Sequence, residues 1–103
     1  MQDLYALKKF QLAVMDLAMG TSLIQIKLAK AYVDHITHVD VDHISENLRA
    51  EFVELKKRLA AISFLSQDWN NVPIANIMTE DTAQTLAKQI VEMCFRISRE
   101  YVE

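Results

Sequence analysis

The pattern of hydrophobic positions along the chain predicts three long helices. Over residues 3–34, apolar residues recur at alternating steps of three and four, which places them on one helical face. This face comprises Leu7, Phe10, Val14, Leu17, Thr21, Ile24, Leu28 and Ala31. The polar side is only a narrow line, formed by Lys9, Asp16, Gly20, Lys27 and Asp34. A helix that is apolar around most of its circumference must be covered on several sides.

The stretch Gly20-Thr21-Ser22 leaves two interpretations of this first helix. Ser22 and Gln25 match a capping box that would start a new helix, and Gly20 could end the previous one. The apolar phase nevertheless runs through Gly20 without a shift, and an isolated glycine costs a helix only ~1 kcal/mol. We therefore expect a helix that is continuous or merely kinked at Gly20, in preference to one that is broken there.

Two further apolar stripes predict the second and third helices. The second helix is expected from about residue 44 to Ser66, with Asp40 or Asp42 as its N-cap. Its core face consists of Ile44, Leu48, Phe52, Leu55, Leu59 and Ile62. The third helix is expected to begin after the cap residue Thr79. Its core face consists of Ala83, Leu86, Ala87, Ile90, Cys94, Ile97 and Tyr101.

Composition supports an all-α fold. The chain has one Gly and one Pro in 103 residues, whereas sheet proteins need these residues at turn after turn. Its length suits one domain over residues 1–103. We therefore predict an antiparallel bundle of three long helices that is completed by homodimerisation. The helices of one chain can hardly cover the apolar circumference of the first helix, so a second copy is expected to cover the remainder.

Charge and cysteine content indicate which partners and which cellular compartment the protein suits. A net charge of −3 disfavours a nucleic-acid surface, and Glu51 and Glu54 lie between Arg49 and the basic triplet at residues 56–58. The lone Cys94 suits a reducing compartment, and on the inner stripe it is interpreted as a buried hydrophobe. No secretory signal and no membrane-spanning apolar run is evident, so a cytoplasmic location is expected.

All three histidines lie within nine residues, beside three carboxylates. Imidazole and carboxylate groups together suit Zn²⁺ or another divalent ion. The candidate ligands are His35, His38, His43, Asp40 and Asp42. The alternative is a polar hinge between helices with capping aspartates, since polar residues belong at such a connection, and a pH-sensitive contact is a third possibility.

The remaining chemistry of the chain favours binding over catalysis. With a single glycine, neither a nucleophile elbow nor a phosphate-binding Gly-rich loop can form. The sequence therefore predicts a non-enzymatic protein–protein interaction module, a regulatory or adaptor bundle that pairs with itself and with another protein. A metal- or ligand-binding bundle and a nucleic-acid-associated regulator are the alternatives. The predicted interface residues are Leu12, Leu17, Met19, Leu23, Ile24, Ile26 and Trp69.

Overall fold

A computed structural model describes the backbone of residues 4–20, 23–65 and 79–102, and their side chains except those of 62–65 and 101–102. These ranges contain four α-helices and no strand, which confirms the all-α class. The helices are α1 (Tyr5–Ala18), α2 (Ile24–Asp34), α3 (Arg49–Leu65) and α4 (Glu80–Val102).

The first predicted helix is broken at Gly20. Helix α1 ends at Ala18, Met19 is extended, and Gly20 has a φ of +83°, in the left-handed region that glycine adopts without strain. The preference for a continuous or kinked helix is therefore wrong, and the alternative of a break is what the structure shows. The three- and four-residue spacing of apolar residues continues through Gly20 although the helix does not. It does so because α1 and α2 both turn their apolar face to the core.

The connection between α2 and α3 is built of short 3₁₀ turns. They span Ile36–His38, Val41–His43 and Glu46–Leu48, and the last of them runs directly into α3. Asp40 therefore flanks a 3₁₀ turn, and the prediction that Asp40 or Asp42 caps an α-helix is wrong. Residues 36–42 are, except for His38, β-branched or aspartate. β-branched side chains lose rotamer freedom in a helix, and aspartate side chains compete for the hydrogen bonds of the helical backbone.

The core forms where the predicted apolar faces meet. The rings of Phe10 from α1 and Phe52 from α3 are both buried and lie edge to face, with centroids 6.2 Å apart. The connection contributes Ile36, Val39 and Ile44, all buried. It is thus anchored to the core and holds its polar residues beside α1.

Helix α4 begins as predicted and is joined to the start of α3. The Thr79 hydroxyl oxygen accepts a hydrogen bond from the Thr82 N–H at 3.1 Å, so Thr79 caps the helix. Arg96 pairs with Glu51, and the Ser45 hydroxyl donates to Glu100 at 3.1 Å. These contacts place the beginning of α3 beside the C-terminal third of α4.

Candidate functional site

Helix α1 has apolar residues on two opposite sides. Its buried side contains Ala6, Phe10 and Ala13, which are fully buried. The opposite side carries Leu12, Met15 and Met19, whose exposed fractions are 42%, 53% and 63%. Successive helical residues turn by about 100°, so Leu12 and Met15 lie within about 60° of each other. Met19 follows directly after the helix, and its N–H still donates to the Met15 carbonyl. A contiguous group of large apolar side chains exposed along one helix is a candidate binding surface.

We define the α1 outer face as the side of α1 turned away from the core. Lys8, exposed, lies among its apolar side chains, and the half-buried Lys9 and Asp16 lie along one edge. Leu23, just before α2, is 57% exposed and adds apolar surface beyond the turn. The members of the α1 outer face are Tyr5, Lys8, Lys9, Leu12, Met15, Asp16 and Met19.

Five of the seven predicted interface residues divide into two groups. Leu12, Met19 and Leu23 are exposed, as an interface before pairing requires. Leu17 and Ile24 are half-buried and pack against the core. They therefore belong to the interior of the chain rather than to its surface.

Ile26 is half-buried on α2, and Trp69 lies outside the described residues. Sequence reasoning left Met15 out of the interface, although its spacing of three residues from Leu12 and four from Met19 could have found it. Met15 thus joins Leu12 and Met19 as an exposed apolar residue of the first segment, while Phe95 on α4 is as exposed as Met19.

The charged edge of the α1 outer face is held by contacts within the chain. The ammonium group of Lys9 lies 5.5 Å from the centroid of the Tyr5 ring, within cation–π range. Asp16 Oδ2 lies 2.8 Å from Nε2 of His35, at the end of α2. A cation and an anion are therefore positioned seven residues apart on the same edge.

The histidines of the segment 35–43, called the histidine segment, do not come together but make separate contacts. His35 pairs with Asp16, its Nδ1 is buried without a hydrogen-bond partner, and His38 is exposed. The Asp40 N–H donates to Nδ1 of His43 at 3.0 Å, inside one 3₁₀ turn. In the described part of the chain, no three His, Cys, Asp or Glu side chains come together in a way that could hold a metal ion.

Two of the five candidate metal ligands, Asp40 and His43, are in contact, and this contact uses the backbone N–H of Asp40. The His43 ring also lies 4.6 Å from the Tyr5 ring, measured between centroids. The segment therefore acts in this fold as a polar connection that is fastened to α1 at both ends, through His35 and His43. The metal site remains a prediction without geometric support.

Basic side chains near α3 are engaged by their own chain. The Arg49 Nε–H donates to the Ile44 carbonyl at 2.9 Å, and the Lys56 ammonium donates to the Val39 carbonyl at 2.6 Å. Arg58 pairs at 3.2 Å with Glu54, which lies four residues earlier on the same helix. These contacts attach the connection to α3.

A cavity of about 430 Å³ lies between α3 and α4. Its lining includes Glu51, Glu54, Glu92, Arg58 and Arg96, so charges of both signs face it. The side-chain oxygen of Gln89 is buried there without a hydrogen-bond partner. The mixed charges define no ligand of one chemical class.

Comparisons with known proteins found no relative of this chain. No protein-family model, no curated protein and no solved structure matches the chain. Among the helices that the structure describes, none has both the length and the apolar character needed to cross a bilayer. The α1 outer face is therefore the feature on which a function can be argued.

Proposed function

We propose that the protein is a non-enzymatic interaction module that acts as a homodimer, in a regulatory or adaptor role, through the α1 outer face. The observation that carries this proposal is the exposure of Leu12, Met15 and Met19 on the side of α1 opposite the core. Burial of such side chains against a partner is favourable by ~25 cal/mol per Å² of apolar surface. Methionine side chains also adapt readily to a partner surface.

A second copy of the chain is the partner that we propose for this surface. The same face carries both a cation, Lys9, and an anion, Asp16, so it can satisfy its own charges in a symmetric pair. Pairing would also cover the side of α1 that the described part of the chain leaves exposed. The cytoplasm is the proposed location, since the lone Cys94 suits a reducing compartment.

Sedimentation equilibrium of the wild-type protein at micromolar concentration tests the proposal. We expect a dimer that dissociates on dilution. Met15→Glu is expected to make the protein monomeric without unfolding it, because a charge at the centre of the buried surface would lose its hydration. A wild-type protein that is monomeric at all concentrations would refute the proposal.

Val53→Glu is the matched control for the dimer test. Val53 is 47% exposed, close to the exposure of Met15, but it stands on α3. The control variant is expected to dimerise as the wild type does. Equal loss of dimer in both variants would show that the α1 outer face is not the contact surface.

A further inference from the structure

The charges along α1 are arranged unequally on its two edges. Lys9 and Asp16 are seven residues apart, so they lie within about 20° of each other on one edge of the α1 outer face. On the other side of Leu12, Met15 and Met19, just outside the α1 outer face, the flanking positions are also spaced by seven residues and are uncharged. They are Leu4, Gln11 and Ala18.

This asymmetry separates the two symmetric ways in which two copies of α1 can pair. A two-fold axis parallel to the helices brings opposite edges together, so Lys9 and Asp16 would face the uncharged edge of the other copy. A two-fold axis perpendicular to the helices brings the same edge of both copies together and reverses its direction. The cation of each copy then lies opposite the anion of the other, while uncharged residues meet on the second edge.

We propose that two copies of the chain pair antiparallel along the α1 outer face, with Lys9 of each copy paired to Asp16 of the partner subunit. This inference rests on the proposed function. The midpoint between positions 9 and 16 falls between Leu12 and Ala13, so the two-fold axis passes beside Leu12. The exposed Leu12 and Met15 then lie at the centre of the contact, and Met19 lies toward its ends.

The contacts within each chain are compatible with this pairing. The Asp16 side chain is 38% exposed although Oδ2 already contacts His35, and a carboxylate accepts several hydrogen bonds. His35 orients Asp16, and the Tyr5 ring holds Lys9 near the same edge. Lys8 can lay its aliphatic chain along the contact and keep its ammonium group in water.

Site-directed cross-linking determines the orientation. With Cys94→Ala as the background, Leu12→Cys and Met19→Cys are each treated with a short bifunctional maleimide. In the antiparallel pair, the two copies of position 12 are ~1.5 Å apart when measured along the helix axis. The two copies of position 19 are ~20 Å apart in the same direction. We expect Leu12→Cys to cross-link and Met19→Cys not to cross-link.

A parallel pair would bring both positions into contact. Efficient cross-linking of Met19→Cys in a dimeric protein would therefore overturn the antiparallel arrangement and leave the proposed function intact. A protein that is monomeric by sedimentation and cross-links at neither position would instead refute the proposed function. The two failures are thus distinguished by the mass of the unmodified protein.

Charge exchange tests the ion pairs themselves. Lys9→Glu places two carboxylates at each contact and Asp16→Lys places two ammonium groups there, so each variant alone is expected to raise the Kd for dimerisation by about tenfold. A mixture of the two variants has opposite charges at both contacts. We expect the mixture to form the heterodimer with affinity near that of the wild type.

A control isolates the contact between copies. Lys88→Glu makes the same charge change as Lys9→Glu, at an exposed position of α4. It is expected to keep the wild-type Kd within about twofold, while the folded helical content is checked by circular dichroism. Equal affinities for the mixture and for each variant alone would overturn the Lys9–Asp16 pairing.

Discussion

Cys94 is buried on the inner face of α4, and this burial raises the pKa of its thiol above the ordinary value of 9.0. Burial also raises the pKa of Tyr32 above 10.0. Both groups are neutral in the folded and unfolded chain below these values, so their packing stabilises the fold there. As the pH rises past 9.0, the unfolded chain loses the Cys94 proton first, and the folded state loses stability.

The expected result is a free energy of unfolding that falls as the pH rises from about 8 to about 10. Urea denaturation at each pH measures it. Cys94→Ala lowers the stability at every pH because it leaves a small void, but it should make the decline with pH shallower. A decline that is just as steep in Cys94→Ala would exclude the thiol as its cause.

At the scale of elements, the turn between α1 and α2 depends on Gly20. The backbone there has a φ of +83°, and a Cβ would meet no atom within 4 Å, so conformation alone decides the effect of a substitution. Gly20→Ala is expected to destabilise the fold by about 1 kcal/mol, measured by urea denaturation. Gly20→Asn should cost less, because asparagine tolerates this conformation better. A more stable Gly20→Ala with higher helicity would favour the continuous helix instead.

Helix α1 also offers two leucines whose substitution should have different consequences. Leu17 packs against the core, whereas Leu12 is exposed on the α1 outer face. Leu17→Asp is expected to lower the free energy of unfolding by about 3 kcal/mol, because it places an unpaired charge against the core. Ile24→Asp on α2 should behave in the same way.

Leu12→Asp is the matched substitution on the opposite side of α1. It should leave the unfolding of the monomer close to that of the wild type and abolish the dimer. Thermal unfolding and sedimentation, measured on both leucine variants, check this difference. If Leu12→Asp unfolded the chain as Leu17→Asp does, the two sides of α1 would not have separate roles.

At the scale of the whole molecule, sequence reasoning placed the core faces better than the helix ends. The apolar stripes led to Phe10, Phe52 and Ile90, which are buried, and Thr79 was correctly predicted as a cap. The predictions were wrong for two helix ends. Helix α3 begins at Arg49 and not near residue 44, and α1 ends at Ala18 and does not continue through Gly20. Helix ends depend on backbone conformations at single residues, whereas a core face is repeated over many turns.

The candidate site was predicted only in part, for a related reason. Of the predicted interface residues, Leu12, Met19 and Leu23 are exposed, whereas Leu17 and Ile24 pack against the core. Both sides of the first helix are apolar, so periodicity could not say which side the chain would cover. The contact between Asp16 and His35 joins residues 19 positions apart and was likewise beyond any local pattern.

The sequence by itself determined the helical class, the faces that pack together and the excess of apolar surface on the first segment. These follow from composition and from the 3.6-residue period, which are properties of neighbouring residues. Only the tertiary structure decided that this segment divides at Gly20, and that Leu12, Met15 and Met19 are the side left exposed. The choice between two apolar sides is made by packing against α2, α3 and α4, and that packing depends on the whole chain at once.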